Sequence, residues 1–211
     1  MYDLAPVLPD VEVTPGTNLL VSGPPMTGKR RIATEILAEG SKQGDGAIVV
    51  TTKDSADKLV TEYERLVPEL DDAPFGVVDC VTKQRGVGNA ENTSRVKYAS
   101  SPVDMTGLGI QLSEFLQEFY ETRSIQRNRV LLHSVSTLLM YSNVQTVFRF
   151  LHVFTGRVQS AEALGLYVLD STAHEEQTLN TLKQLFDGVI EVEDDDGEPS
   201  VTTMGIPSAS N

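Results

Sequence analysis

Cysteine is nearly missing from this chain. A single residue, Cys80, excludes an intrachain disulfide and fits a reducing interior. Long apolar runs are missing too. The richest stretch, 130–141, is interrupted by His133, Ser134, Ser136 and Thr137, too polar a segment to span a bilayer. The N-terminus, Met1-Tyr2-Asp3-Leu4-Ala5-Pro6, has no basic region followed by an apolar one, as a secretory signal would. A cytoplasmic protein without membrane insertion is expected. Positive charge is also short: 17 Lys and Arg stand against 30 Asp and Glu, a net charge of −13. Such a surface repels nucleic-acid phosphates, so nucleic acid is not an expected partner. Lysine is the scarcer cation, with seven against ten arginines. Acid-rich, lysine-poor chains suit concentrated salt, where charge is screened, and point to a halophilic source; an ordinary acidic cytosolic protein is the alternative.

Familiar catalytic constellations are equally scarce. His152 and His174 have no metal-ligand spacing with each other or with Cys80, so no zinc site is expected. No G-x-S-x-G elbow supports a hydrolase triad. Tyr98 and the basic residues near it lack the aromatic interleaving of a nucleic-acid surface.

What is present is a 211-residue chain with 40% hydrophobic residues, enough for one α/β domain. Apolar β-branched runs predict strands at 18–22, 47–52, 75–80, 129–133, 166–170 and 188–193. Between them, apolar residues recur at three and four over 29–41, 55–66, 104–123, 143–155 and 175–186, predicting helices. Asp104, after Pro102, is placed to cap the third of these. This alternation predicts a mainly parallel sheet flanked by helices. Asp196-Gly197 between two strand-like runs predicts a final hairpin. One domain over 1–204 and a frayed tail at 205–211 are expected. Residues 83–101 are polar and patternless and read as an exposed loop. Its cations, Lys83, Arg85, Arg95 and Lys97, could face a phosphate or an acidic partner, or be simply hydrated.

The sharpest signal is Gly23-Pro24-Pro25-Met26-Thr27-Gly28-Lys29-Arg30. It fits the phosphate-binding pattern G-x-x-x-x-G-K-[S/T] up to its last position, between a strand-like run and a helix-like one. Glycines let backbone N–H groups turn inward around phosphate oxygens, and the helix N-terminus adds partial positive charge. Lys29 would reach the outer phosphates. Arg30 stands where a hydroxyl normally holds Mg²⁺; it brings charge toward the metal's place or points to solvent. Met26 is bulkier than the small residue common at its position.

The order of these pieces resembles the KaiC-like branch of RecA-type P-loop ATPases over roughly residues 10–204. Three stretches carry the likeness: VSGPPMTGKRRIATEIL at 21–37, RVLLHSVSTLLMY at 129–141 and LKQLFDGVIEVE at 182–193. Ser101-Pro102-Val103-Asp104 with its helix adds to it. The resemblance implies a RecA-like fold with a C-terminal hairpin and binding of ATP or ADP. It also implies positions that this chain has changed. His133 stands where the family has the Asp that binds Mg²⁺ through water. Lys53-Asp54 stands for a tandem acidic pair that polarises water. The tail VTTMGIPSASN lacks the family's basic pair sent across a subunit interface.

Phosphoryl transfer needs Mg²⁺ and a positioned nucleophile, and three supports have changed together: Arg30, His133 and Lys53. Losing one electrostatic stabiliser costs roughly 10²–10³ in rate. The expectation is a regulatory P-loop protein that holds ATP or ADP with little hydrolysis, Mg²⁺ being dispensable because Arg30, Lys53 and a protonable His133 supply positive charge. It would work through protein partners, with a homo-oligomer possible by resemblance. Two other functions are open: a slow ATPase using Asp54 or Asp170, and a scaffold that binds no nucleotide. Asp54 is either a base or the N-cap of helix 55–66. Asp170 either supplies an acid near the γ-phosphate or caps the helix near 175.

Overall fold

Runs such as Ala47–Val50 and Val130–Leu132 are apolar on consecutive residues, the mark of strands covered on both faces. They lie at the centre of an eight-stranded sheet. The computed structural model describes residues 1–69, 73–86, 90–195 and 198–206. In chain order the elements are β1 (Tyr2–Asp3), β2 (Glu12–Val13), β3 (Asn18–Gly23), α1 (Lys29–Lys42), β4 (Gly46–Thr51), α2 (Ala56–Leu66), β5 (Phe75–Asp79), α3 (Thr82–Arg85), β6 (Val96–Tyr98), α4 (Met105–Arg123), β7 (Asn128–His133), α5 (Val135–Tyr141), α6 (Val144–Ser160), β8 (Leu164–Asp170), α7 (Glu176–Lys183), β9 (Gly188–Asp195) and β10 (Glu198–Met204).

The sheet order is β10-β9-β3-β8-β7-β4-β5-β6, parallel throughout except for the antiparallel β9–β10 hairpin. Alternate strand residues face opposite cores. Leu19, Val21, Val49, Leu131 and Val168 meet α1 and α2 through Ile32, Ile36, Leu59 and Tyr63. Leu20, Val50, Leu132 and Leu169 meet α4, α5 and α6 through Leu112, Phe115, Leu138 and Phe154. This is the expected α/β architecture of a mainly parallel sheet between helix layers, closed by a C-terminal hairpin. Asp104 caps α4 as expected, accepting from the Gly107 amide at 2.9 Å.

Several elements differ from the sequence reading. Residues 1–13 form a small antiparallel pair, β1–β2, that presses Tyr2, Leu4, Leu8, Val11 and Val13 into the α1–α2 core. Two-residue strands are too short to show a period of two. Stretch 83–101 is not wholly loop: Thr82–Arg85 makes one helical turn, and Val96–Tyr98 adds an edge strand parallel to β5. Its cations are paired within the chain, Arg95 with Glu64 at 2.9 Å and Lys97 with Glu114 at 3.2 Å. Arg85 reaches the Lys53 carbonyl and Lys83 the Tyr98 carbonyl. Residues 87–89 lie outside the described residues, as do the hairpin tip at Asp196-Gly197 and tail residues 207–211. The beginning of the tail is packed, not frayed: Ile206 lies against the α1–α2 core because Gly188 leaves room beside it.

Candidate functional site

The C-terminal ends of β3, β4, β7 and β8 meet along one edge of the sheet, where open parallel sheets gather ligands. β3 ends at Gly23, where a Cβ would come within 2.0 Å of the Val192 carbonyl oxygen on β9. The loop then turns through Met26 and Gly28, both left-handed at φ 66° and 87°. Glycine tolerates that region; methionine does so at a cost, with its side chain 99% exposed and clear of the cleft floor. The loop is tied internally. The Thr27 hydroxyl donates to the Pro24 carbonyl at 3.0 Å, and Lys29 Nζ donates to the same oxygen. The first-turn amides of α1 have no carbonyl four residues back to receive them.

Lys29 is buried and forms an ion pair with Asp170 Oδ1 at 2.9 Å. Strand register brings the two together, because Gly23 on β3 pairs with Asp170 on β8. The Asp170 amide donates to Ser136 Oγ at 2.9 Å, and Ser136 Oγ also lies 2.8 Å from His174 Nε2. Asp170 is therefore not the cap of the helix near 175; Glu175 holds that position.

Arg30 turns from α1 toward α2. Its guanidinium pairs with Asp54 Oδ2 at 3.2 Å and with Glu62, so it neither extends freely into solvent nor leaves a gap. Lys58 binds the other Asp54 oxygen at 2.7 Å. Asp54 does not cap α2: Ser55 is the cap residue, and the Ala56 amide donates instead to Asp79 Oδ2 at 2.7 Å. Burial pushes the Asp54 carboxyl up, but the Lys58 hydrogen bond and the Arg30 and Lys58 charges together outweigh it and hold the group below the usual carboxylate range. An ionised carboxylate held by two cations is a weak base.

His133 closes the floor. It is buried at the end of β7, with Nδ1 4.0 Å from Asp54 Oδ2 and no hydrogen-bond partner. Burial, then the Arg30 charge, lowers its pKa to about 4. The expectation that a protonated His133 supplies positive charge is thus corrected: near neutral pH it is an uncharged imidazole. Behind it, Ser134 and Thr52 exchange hydrogen bonds of 2.7 and 2.9 Å that join the ends of β7 and β4.

These groups surround a cleft of about 420 Å³ lined by Met26, Gly28, Lys29, Arg30, Lys53, Asp54, Lys58, His133, Ser134, Val168 and Asp170. Gly23, Pro24, Pro25 and Thr27 shape the loop without lining it. Lys58, Glu62 and Ser136 belong to the site but are absent from the sequence reading. Asp54, Lys58 and Glu62 are four residues apart, a helical spacing of opposite charges that was there to be read. Four cations line the cleft against two carboxylates, inside a chain of net charge −13.

The donors do not suit Mg²⁺, which demands an octahedron of oxygens. Arg30 occupies the hydroxyl position, His133 offers nitrogen, and Asp54 is engaged by two cations. Among the described residues no group of three or more His, Cys, Asp or Glu could hold a metal ion, and no helix is long and apolar enough to cross a membrane.

A family model described as a family of unknown function, DUF7504, matches residues 16–192. The chain belongs to this family. That match takes in the glycine loop, the whole cleft and the first part of β9. No match is found among curated proteins. Two solved structures from Pyrococcus horikoshii resemble the fold. One is the uncharacterized protein PH0321, in complex with an unknown peptide: TM-score 0.68 and 10% identity, over 92% of this chain and 84% of that one. The other is the KaiC-like protein PH0186 of this hyperthermophilic archaeon, with TM-score 0.57 and 11% identity, over 90% of this chain and 77% of that one. At such identities the likeness is one of fold, and it agrees with the KaiC-like, RecA-type architecture implied by the sequence.

Proposed function

We propose that this chain is a regulatory P-loop protein that holds ATP or ADP in the cleft without needing Mg²⁺ and hydrolyses it little or not at all. The observation that carries this reading is the charge of the cleft: four cations against two carboxylates, beside a glycine loop, in a strongly acidic chain. An anion is drawn to such a place, and a helix N-terminus adds to the pull. The amides of the 23–29 loop and Lys29 would hold the outer phosphates. Arg30 and Lys53 would stand where a metal otherwise neutralises charge. Hydrolysis lacks a strong base: Asp54 is bound to Arg30 and Lys58, Asp170 to Lys29, and His133, its pKa lowered to about 4, binds a proton weakly and has no carboxylate within hydrogen-bond reach to orient it. This arrangement disfavours the slow-ATPase reading. Nucleotide occupancy would bias shape or assembly, and so the binding of protein partners or of a second copy, by stabilising one conformation over another.

Isothermal titration with ATP and with ADP, each in EDTA and in Mg²⁺, tests the reading. Binding of similar strength in both buffers, weakened in Lys29→Ala, is the expected result. Strict dependence on Mg²⁺, or fast phosphate release that depends on Lys29, would refute it. An absence of binding in every buffer would favour a scaffold without nucleotide.

A further inference from the structure

The lysine that should greet a phosphate is already engaged. Lys29 Nζ lies 2.9 Å from Asp170 Oδ1 and donates to the Pro24 carbonyl, so two of its three hydrogens are directed to groups of the protein. Asp170 is held in place by its backbone: its amide donates to Ser136 Oγ, its neighbour Ser171 donates to the Gly23 carbonyl at 2.9 Å, and its strand pairs in register with β3. The backbone is anchored by the sheet, so the carboxylate stays near Lys29 and can move only by turning about its own short side chain. Its side chain is 31% exposed, open to the cleft, while that of Lys29 is 5% exposed. An incoming phosphate must take the same ammonium against a neighbouring negative charge.

Resting on the nucleotide reading above, we infer that Asp170 is a built-in competing anion that determines which phosphates enter. A single phosphate meets Lys29 alone and must displace the carboxylate unaided. A di- or triphosphate also reaches the loop amides and Lys53, which lines the same cleft, and these further contacts offset the displacement. Asp170 therefore rejects orthophosphate and other small anions, which abound where nucleotides do, and admits polyphosphate chains. Without it the site would be a general anion trap. This makes Asp170 a specificity-determining residue, distinct from the acid or helix cap read from sequence.

The test is isothermal titration in EDTA of the full chain with ATP and with inorganic phosphate. Asp170→Asn keeps the size and backbone bonds of the residue and removes the charge. ATP is expected to bind about two- to fivefold tighter, in line with the loss of one partly exposed ion pair, and inorganic phosphate should become a measurable ligand. Asp170→Ser carries the same expectation should the amide variant fold poorly by circular dichroism. Glu12→Gln makes the same change in net charge at an exposed site on β2 and should alter neither affinity. If the wild type binds ATP and the Asp170 variants bind it equally or more weakly, the inference fails and the nucleotide reading stands. If Glu12→Gln tightens binding as much as Asp170→Asn, overall charge is the cause and the inference fails. If neither wild type nor variants bind ATP, both readings fall.

Discussion

Strands β4 and β7 carry ionic networks at both ends, and the two ends are built differently. At the N-terminal end, Arg129 is fully buried. It donates to Asp45 at 2.8 Å, to the Ile36 carbonyl at 2.8 Å, and to the Asp3 carbonyl and Gln43 at 3.1 and 3.2 Å. Arg127 adds a second bond pair to Asp45, at 2.7 and 3.1 Å, and both guanidinium groups lie over the Tyr2 ring. Buried charge is tolerable only when satisfied in this way. At the C-terminal end, five residues downstream of Asn128, His133 Nδ1 has no partner, and Lys29 and Arg30 are paired with carboxylates on the wall of an open cleft. The Arg129–Asp45 network serves stability, because its bonds are internal, although Asn128 Oδ1 beside it is also left without a partner. The other end keeps charge and donors that a ligand can take, the pattern expected of a binding edge.

The comparison is broken most strongly at Arg129. Arg129→Ala leaves Asp45 buried with only Arg127, and by analogy with disrupted buried pairs should cost about 3–5 kcal/mol in chemical denaturation. A loss below ~1 kcal/mol would mean that the two ends are not different in kind.

His133 sharpens the contrast through pH. Its folded pKa is depressed to about 4 from an ordinary 6.5, so the unfolded chain takes up the proton first as pH falls. Its contribution is intact above about pH 6.5 and lost progressively down to about pH 4, by about 3 kcal/mol at ~1.4 kcal/mol per pKa unit. Denaturation midpoints across that window should fall for the wild type and be flatter for His133→Asn; parallel curves would contradict the assignment.

Lys29→Ala should weaken ATP by about 1.5–3 kcal/mol, the worth of a charge-assisted hydrogen bond, with a smaller effect on folding than Arg129→Ala. Titration and denaturation on one variant separate the two. The smallest effect belongs to Arg30→Thr, which supplies the hydroxyl of the G-x-x-x-x-G-K-[S/T] pattern. Its ion pairs are partly exposed, so stability should change by less than ~1 kcal/mol. ATP affinity in EDTA should drop, and a gain on adding Mg²⁺ would show that the metal seat had been closed by this one side chain.

Much of this was legible along the chain. Periodicity located the main strands and helices within a few residues, because both faces of the sheet are buried and the runs are long. Asp104 declared itself by position, and the glycine loop by spacing. Other features were not legible. Tyr2–Val13 has too few residues to display a period, so only contact with α1 and α2 reveals it as core. Val96–Tyr98 is a strand only because β5 offers it an edge.

Sequence alone determined the alternation of strand and helix, the glycine loop with Lys29 and Arg30, and the nitrogen-bearing side chains at positions 30 and 133, since these are matters of residue type and local spacing. Tertiary structure decided the partners. Asp170 follows Lys29 by 141 residues and meets it through the β3–β8 register; Asp54 meets Arg30 because α1 and α2 lie on one face; and the charge state of His133 follows from its burial. Electrostatics depends on distance and on exclusion of water, and the fold sets both.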